Sequence, residues 1–245
     1  MITSWAILSG IEGNLRALEA VLRDLRRQRP PVTTLYVLGD IIGLKGQNDA
    51  VVQRLQRPDL EPLDPQICIG WWEEQCFNLF GVGLSGEVPE LIAQHGEAAV
   101  GQLWESISRS SVEWLRSLPF GFHELDCLLV HGSPVSVSEV LTPDTAPPIL
   151  CDRLIRADAN QLFCGRSGEL FDCWISAEAL TSEVKTLDSR EQQTFDLLKR
   201  RLIGVGSVGR EPGRASYVLY QPESNHLQQF LSPMSKDSPF QGDRV

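Results

Sequence analysis

WAILSGIEGNLRALEAVLRDLRRQRPPVTTLYVLGD, residues 5–40, decides the fold class. Residues 5–9 are a short apolar run that stops at Gly10, the pattern of a buried strand. Asn14 is a suitable helix cap, and Leu15, Leu18, Val21, Leu22 and Leu25 then recur at helical spacing. Pro30 and Pro31 end that helix. Residues 33–38, TTLYVL, read as a second strand closing on Gly39 and Asp40. Strand, helix, strand in this order predicts a layered α/β fold.

Outward from this unit, residues 49–56 read as a short helix and ICIG (67–70) as a third strand. Residues 87–118 read as mostly helical, with a break near Ser108–Ser111. Two short strands fall in 121–130, ahead of the loop HGSP (131–134). A helix at about 149–157 and a strand LFCG (162–165) follow. Residues 171–188 alternate weakly, as a strand pair does, and 189–201 read as a helix capped by Ser189. The turn GVGSVGREPGR (204–214) leads into a strand ASYVLY (215–220). One domain over 1–231 is expected, with 232–245 a polar, disordered tail. Gly10, Gly39, Gly70, Gly132 and Gly165 each follow a strand, which predicts one shared site where strand ends meet loops.

Composition bounds the function. The chain has 245 residues, 42% of them hydrophobic and 22% charged, with a net charge of −10. A nucleic-acid partner is not expected of so acidic a chain, whose one dense basic cluster in the first half, RDLRRQR (23–29), reads as the solvated end of a helix. No apolar run is long enough for a membrane span, and the N-terminus reads as a strand rather than a signal peptide. Six cysteines with no CxxC pair read as reduced and structural, which suits a cytoplasmic chain.

The order of motifs resembles the calcineurin-like metallophosphoesterases. LSGIEGN (8–14) stands where the family has D-x-H-G-N, and LGDIIG (38–43) resembles its G-D motif. CIGWWEE (68–74) occupies the place of G-N-H-D/E, LLVHGSP (128–134) resembles the fourth motif, and FCGRSGELF (163–171) sits in place of G-H-x-H. VGSVGREPGRASYVLY (205–220) is similar to the G-S-V-G…R-A-S-Y ending of a bacterial subgroup. The resemblance spans about residues 4–220 and implies a four-layer α/β/β/α sandwich of two mixed sheets. It also implies hydrolysis of phosphomonoesters or phosphodiesters by two divalent metals, ~3.5–4 Å apart, that clamp the phosphate and supply a hydroxide.

Carried over residue by residue, that metal centre is largely missing. The first-motif Asp and His stand as Gly10 and Glu12, the bridging Asp as Asp40, and the third-motif Asn and His as Trp71 and Trp72. The fourth-motif His is His131, and the paired fifth-motif His are Arg166 and Gly168. The expectation is a metal-free binding or regulatory protein, with Asp40, His131, Arg166, Trp71 and Trp72 as its binding residues. Its partner is expected to be a protein or a phosphorylated small ligand. Arg166 is expected to pair with Asp40, and with Glu12 or Glu73, where a metal would otherwise balance the charge. The alternative is an active, divergent phosphoesterase with one Mn, Fe or Zn ion on Glu12, Asp40 and His131.

Each of these residues also has a plain structural reading. Asp40 can serve a strand-end turn, His131 can be a buried, backbone-bonded histidine, and Glu12 can be solvated. Trp71 and Trp72 read equally as an aromatic platform or as core. Arg166, with Ser167 and the Gly-rich turn, suits a phosphate cradle without metal. Ser133 lacks the G-x-S-x-G context of a nucleophile, and nothing ties His95, His123 or His226 to a site.

Overall fold

The expected strand–helix–strand unit forms in the computed structural model, which describes residues 3–57, 63, 65–175, 200–233 and 243–244. It comprises β1 (Trp5–Leu8), α1 (Leu15–Leu25) and β2 (Thr34–Leu38). The Asn14 side chain caps α1 by accepting from the Ala17 N–H at 3.1 Å. α2 (Asn48–Leu55) and β3 (Gln66–Cys68) complete a parallel β1–β2–β3 core.

The elements that follow are α3 (Trp71–Leu79), α4 (Pro89–His95), α5 (Ala98–Glu105), α6 (Arg109–Leu115), β4 (Gly121–Glu124), β5 (Cys127–Val130) and α7 (Pro147–Ala157). They are succeeded by β6 (Gln161–Cys164), β7 (Leu170–Ile175), β8 (Arg200–Val205), β9 (Arg214–Gln221), β10 (His226–Pro233) and β11 (Asp243–Arg244). One sheet has the order β11-β10-β9-β1-β2-β3 and the other β4-β5-β6-β8-β7; both are mixed.

Strand alternation sorts the side chains into layers. Trp5 and Ile7 face the second sheet, where they pack with Leu129, Phe163 and Ile203, and Cys68 and Cys127 lie in the same layer. Ala6 and Leu8 face the opposite way, into the core formed with α1 to α6. Leu150 and Leu154 of α7 cover the far face of the second sheet through Leu162 and Leu202. The result is the expected four-layer sandwich. No helix among the described residues is long and apolar enough to cross a membrane.

Three elements differ from the sequence reading. Residues 71–79 form the helix α3, which the sequence pattern did not indicate. Its first turn is fixed from outside, by an Asp40 side chain that accepts from the Trp72 N–H at 2.9 Å. Arg200 and Arg201, read as a helix end, begin β8 instead. Arg201 leaves the strand to pair with Asp172 of β7 at 2.7 Å and to lie over Trp174, 4.9 Å from its ring centre. β10 was not expected; it runs to Pro233, and Asp243–Arg244 pairs with it at Leu231 and Phe230. Residues 189–199 of the expected helix, 176–188 of the expected strand pair, and 234–242 and 245 of the tail lie outside the described residues.

Candidate functional site

Backbone hydrogen bonds gather the loops that leave β1, β2, β5, β6 and β8 at one end of the sandwich. The Gly10 N–H bonds the Gly39 carbonyl at 3.3 Å, Glu12 N–H bonds Asp40 O at 2.9 Å, and Gly165 N–H bonds His131 O at 2.8 Å. Val208 N–H reaches Ser9 O at 2.9 Å and Gly209 N–H reaches Gly10 O at 2.7 Å. Glu12, Asp40, His131, Arg166 and the 206–210 turn therefore share one site, as the glycines after each strand predicted.

Asp40 and His131 form its floor, both fully buried. The His131 Nδ1–H donates to the Leu38 carbonyl at 2.7 Å, which turns Nε2 toward Asp40. Nε2 lies 3.2 Å from Asp40 Oδ2 but off hydrogen-bond geometry, so neither atom has a hydrogen-bond partner among the described residues. Burial acts to raise the Asp40 carboxyl. The facing His131 and the positive charge of Arg166 more than offset it and hold Asp40 below the usual carboxylate range. Asp40 Oδ1 meanwhile serves the first turn of α3 through the Trp72 N–H. A structural role thus accounts for half of this carboxylate.

Glu73 is buried beside it and holds the loop after β2. Its carboxylate accepts from Asp40 N–H, Ile41 N–H and Gly70 N–H at 2.8 Å each, and from Ile42 N–H at 3.1 Å. Burial and the Asp40 charge push Glu73 up to about 7, against those four donors. With its oxygens so occupied, Glu73 is a structural clamp and not a partner for Arg166.

The cation that enters the site is Arg210, not Arg166. Arg210 Nε donates to Glu12 Oε1 at 2.8 Å, and Nη2 lies 3.6 Å from Asp40 Oδ2. Nη1 donates to the Ser167 carbonyl at 2.8 Å and to the Arg166 carbonyl at 3.4 Å. Burial raises the Glu12 carboxyl, and Arg210 opposes that rise. The expected pairing of Arg166 with Asp40, Glu12 or Glu73 does not form, because Arg210 already holds two of these groups.

Two glycines, Gly10 and Gly168, explain how Arg210 and Ser207 fit. Gly168 has a φ of +76°, and a Cβ built on it would run into the Arg210 guanidinium. Gly10 has a φ of +60°, and its missing Cβ would meet Ser207 Oγ, which instead donates to the Gly10 carbonyl at 2.9 Å. The 206–210 turn occupies the volume that side chains at positions 10 and 168 would need. Glu12 and Asp40 also hold left-handed backbone, with φ of 53° and 52°, a form of strain that collects at built sites.

Trp71 and Trp72 are buried, 0% and 3% exposed, and pack edge to face with centres 4.9 Å apart. They fill the core beneath α4, so the exposed aromatic platform read as one option from the sequence is not formed. Trp71 Nε1–H donates to Glu90 of α4 at 2.9 Å. Arg166 lies over the Trp71 ring, 4.5 Å from its centre, and its Nη2 donates to Gln94 of α4 at 3.3 Å. His95, also on α4, packs on Trp72 at 4.7 Å and on Trp71 at 5.8 Å. The sequence reading left His95 outside any site; the structure places it beside Arg166.

Ser133 is spent within its loop, accepting from the Val135 and Ser136 N–H groups at 3.2 and 3.3 Å. His123 lies on β4 and His226 on β10, away from the cluster. Among the described residues, no three His, Cys, Asp or Glu side chains gather as a group able to hold a metal ion. The trio Glu12, Asp40 and His131 fails for a visible reason: Glu12 turns to Arg210, and the Arg210 charge stands beside Asp40. The residues present do not fit the two-metal centre. Arg210 was missed in sequence because its partner Glu12 is 198 residues away; its position directly after G-S-V-G was the available signal.

No protein-family model matches this chain, and no curated protein matches it. Solved structures do. A metallophosphoesterase from Sphaerobacter thermophilus is 24% identical with a TM-score of 0.64, over 94% of this chain and 87% of its own. A cold-active protein-tyrosine phosphatase of a psychrophilic Shewanella is 13% identical with a TM-score of 0.52, over 99% of this chain and 80% of its own. At these identities the likeness establishes the shared metallophosphoesterase-like fold.

Proposed function

We propose that this chain is a degenerate calcineurin-like metallophosphoesterase that binds a phosphorylated ligand or a protein without hydrolysing it. One observation carries the reading: the Arg210 guanidinium reaches both Glu12 and Asp40, so positive charge at the centre comes from the chain itself. A carboxylate pair that faces a guanidinium has little need of a dication, and a dication placed there would meet a fixed positive charge. The absence of side chains at Gly10 and Gly168, with Ser207 and Arg210 in their space, supports the same reading. A cytoplasmic setting fits the reduced cysteines, all six of which are free thiols.

A second reading has its own observation. Asp40 Oδ2 and His131 Nε2 are buried, lack hydrogen-bond partners among the described residues and face each other, as two ligands of one metal ion do. A divergent phosphoesterase with one ion on Glu12, Asp40 and His131 would have to withdraw Arg210. The test is hydrolysis of bis(p-nitrophenyl) phosphate and p-nitrophenyl phosphate after dialysis against manganese, iron and zinc. The first reading predicts no turnover above buffer. Turnover that disappears in both Asp40→Ala and His131→Ala would establish the second.

A further inference from the structure

Arg166 forms no close ion pair among the described residues, although Asp40, Glu12 and Glu90 all favour its charge. Glu12 is taken by Arg210, and Asp40 faces His131 and Arg210. Glu73 is spent on four backbone N–H groups, and Glu90 on the Trp71 indole. Arg166 is left half-buried with no ion pair to a described carboxylate. Among the described residues its one side-chain hydrogen bond is the 3.3 Å contact with Gln94, and its buried Nε has no partner. The residue is nonetheless held in place. Its backbone N–H bonds the His131 carbonyl at 2.8 Å, and its guanidinium is stacked on Trp71. A fixed, partly desolvated guanidinium with unused donors is what planar recognition of an oxyanion requires.

We propose that Arg166, with His95 beside it on the same Trp71 ring, is a metal-free binding site for a phosphate group, free or as the head of a small organic phosphate. Gln94 is the internal placeholder that the phosphate displaces. The stack on Trp71 sets the plane of the fork, which lowers the ordering needed on binding. Burial and the nearby Arg166 and Arg210 charges hold His95 below the ordinary histidine range. A bound dianion reverses the sign of that local field. The inference rests on the reading above, since a metal ion beside Asp40 would hold the phosphate itself.

Calorimetric titration with inorganic phosphate and with phenyl phosphate, in chelator, tests it. Wild type is expected to bind. Arg166→Met, which keeps the stem over Trp71, is expected to weaken binding about tenfold or more, the loss of one charge-assisted contact. Gln94→Ala is expected to tighten it about twofold by releasing the placeholder bond. Arg109→Met, a change at an 83% exposed arginine, is expected to leave it unchanged. The His95 titration followed by NMR is expected to move to higher pH with phosphate. Equal affinity of wild type and Arg166→Met, or no phosphate binding in either, overturns the proposal. Phosphate binding that appears only after metal is added overturns the metal-free reading instead, so the two failures are distinct. Stronger binding of phenyl phosphate than of phosphate assigns the site to an organic phosphate, and equal binding assigns it to the free ion.

Discussion

At Arg210, one guanidinium meets a Glu12 carboxylate, the edge of Asp40 and two backbone carbonyls. Removing it leaves Glu12 without its ion pair and takes one neighbouring cation from Asp40. Breaking a fully buried pair is worth ~3–5 kcal/mol. The Arg210 side chain is 31% exposed, so water recovers part of that and about 2 kcal/mol is expected for Arg210→Met. Urea denaturation of the variant checks it, as a lower midpoint with an unchanged slope. Asp40 gives a pH signature. Its folded carboxyl lies below its ordinary value, for which 3.8 is the reference. Its contribution is therefore fully present above that pH and is lost as the pH falls through the lower folded value. The part of the stability gap between wild type and Asp40→Asn that this carboxylate carries should close below about pH 4, and the gap should be level only above about pH 7, where Glu73, which Asp40 pushes up to about 7, has also ionised.

At the scale of elements, the 206–210 turn and α3 set the site. On the proposed reading, a histidine at position 168 does not build a metal centre, because Arg210 of the turn occupies the space. Gly168→His is predicted to lose roughly 2 kcal/mol or more, from left-handed backbone strain and displacement of Arg210, and to gain no hydrolysis. A thermal melt and a bis(p-nitrophenyl) phosphate assay on one sample read both outcomes. Hydrolysis in this single variant would mean that Arg210 moves easily and that the turn is no barrier. Trp71 is wholly buried under α4, and Trp71→Ala should remove ~3–5 kcal/mol, as large aromatic truncations do. How much of this could be read in sequence follows from distance along the chain. Asn14 capping α1 is a contact over three residues, and the cap was legible. Helix α3 was not, because its first turn is organised by Asp40, 32 residues before Trp72. Strand β8 was hidden by Arg200 and Arg201, which resemble a helix end until Asp172 and Trp174 are seen to receive Arg201.

Across the whole molecule, local apolar alternation indicated a layered α/β fold and strand-end glycines the end of it that carries the site, while the four-layer sandwich was implied by the family resemblance. They were not enough to give the polar interior. Residues 12, 40, 131 and 166 were placed together correctly, yet the cation that joins the first two comes from a turn after β8. Pairing among buried charges depends on which side chain fills the remaining volume, and a linear pattern holds no record of that. On the proposed reading the fold needs no metal: Glu12 and Asp40 are met by Arg210 within the chain, and the core is closed by tryptophans. The most direct test is the melting temperature of wild type and Arg210→Met, each with chelator and with added manganese. Wild type is predicted to melt at one temperature in both conditions, and Arg210→Met about 4–8 °C lower in chelator. A wild-type protein that loses stability in chelator and regains it with manganese would contradict the account, because the metal would then be carrying the charge here assigned to Arg210.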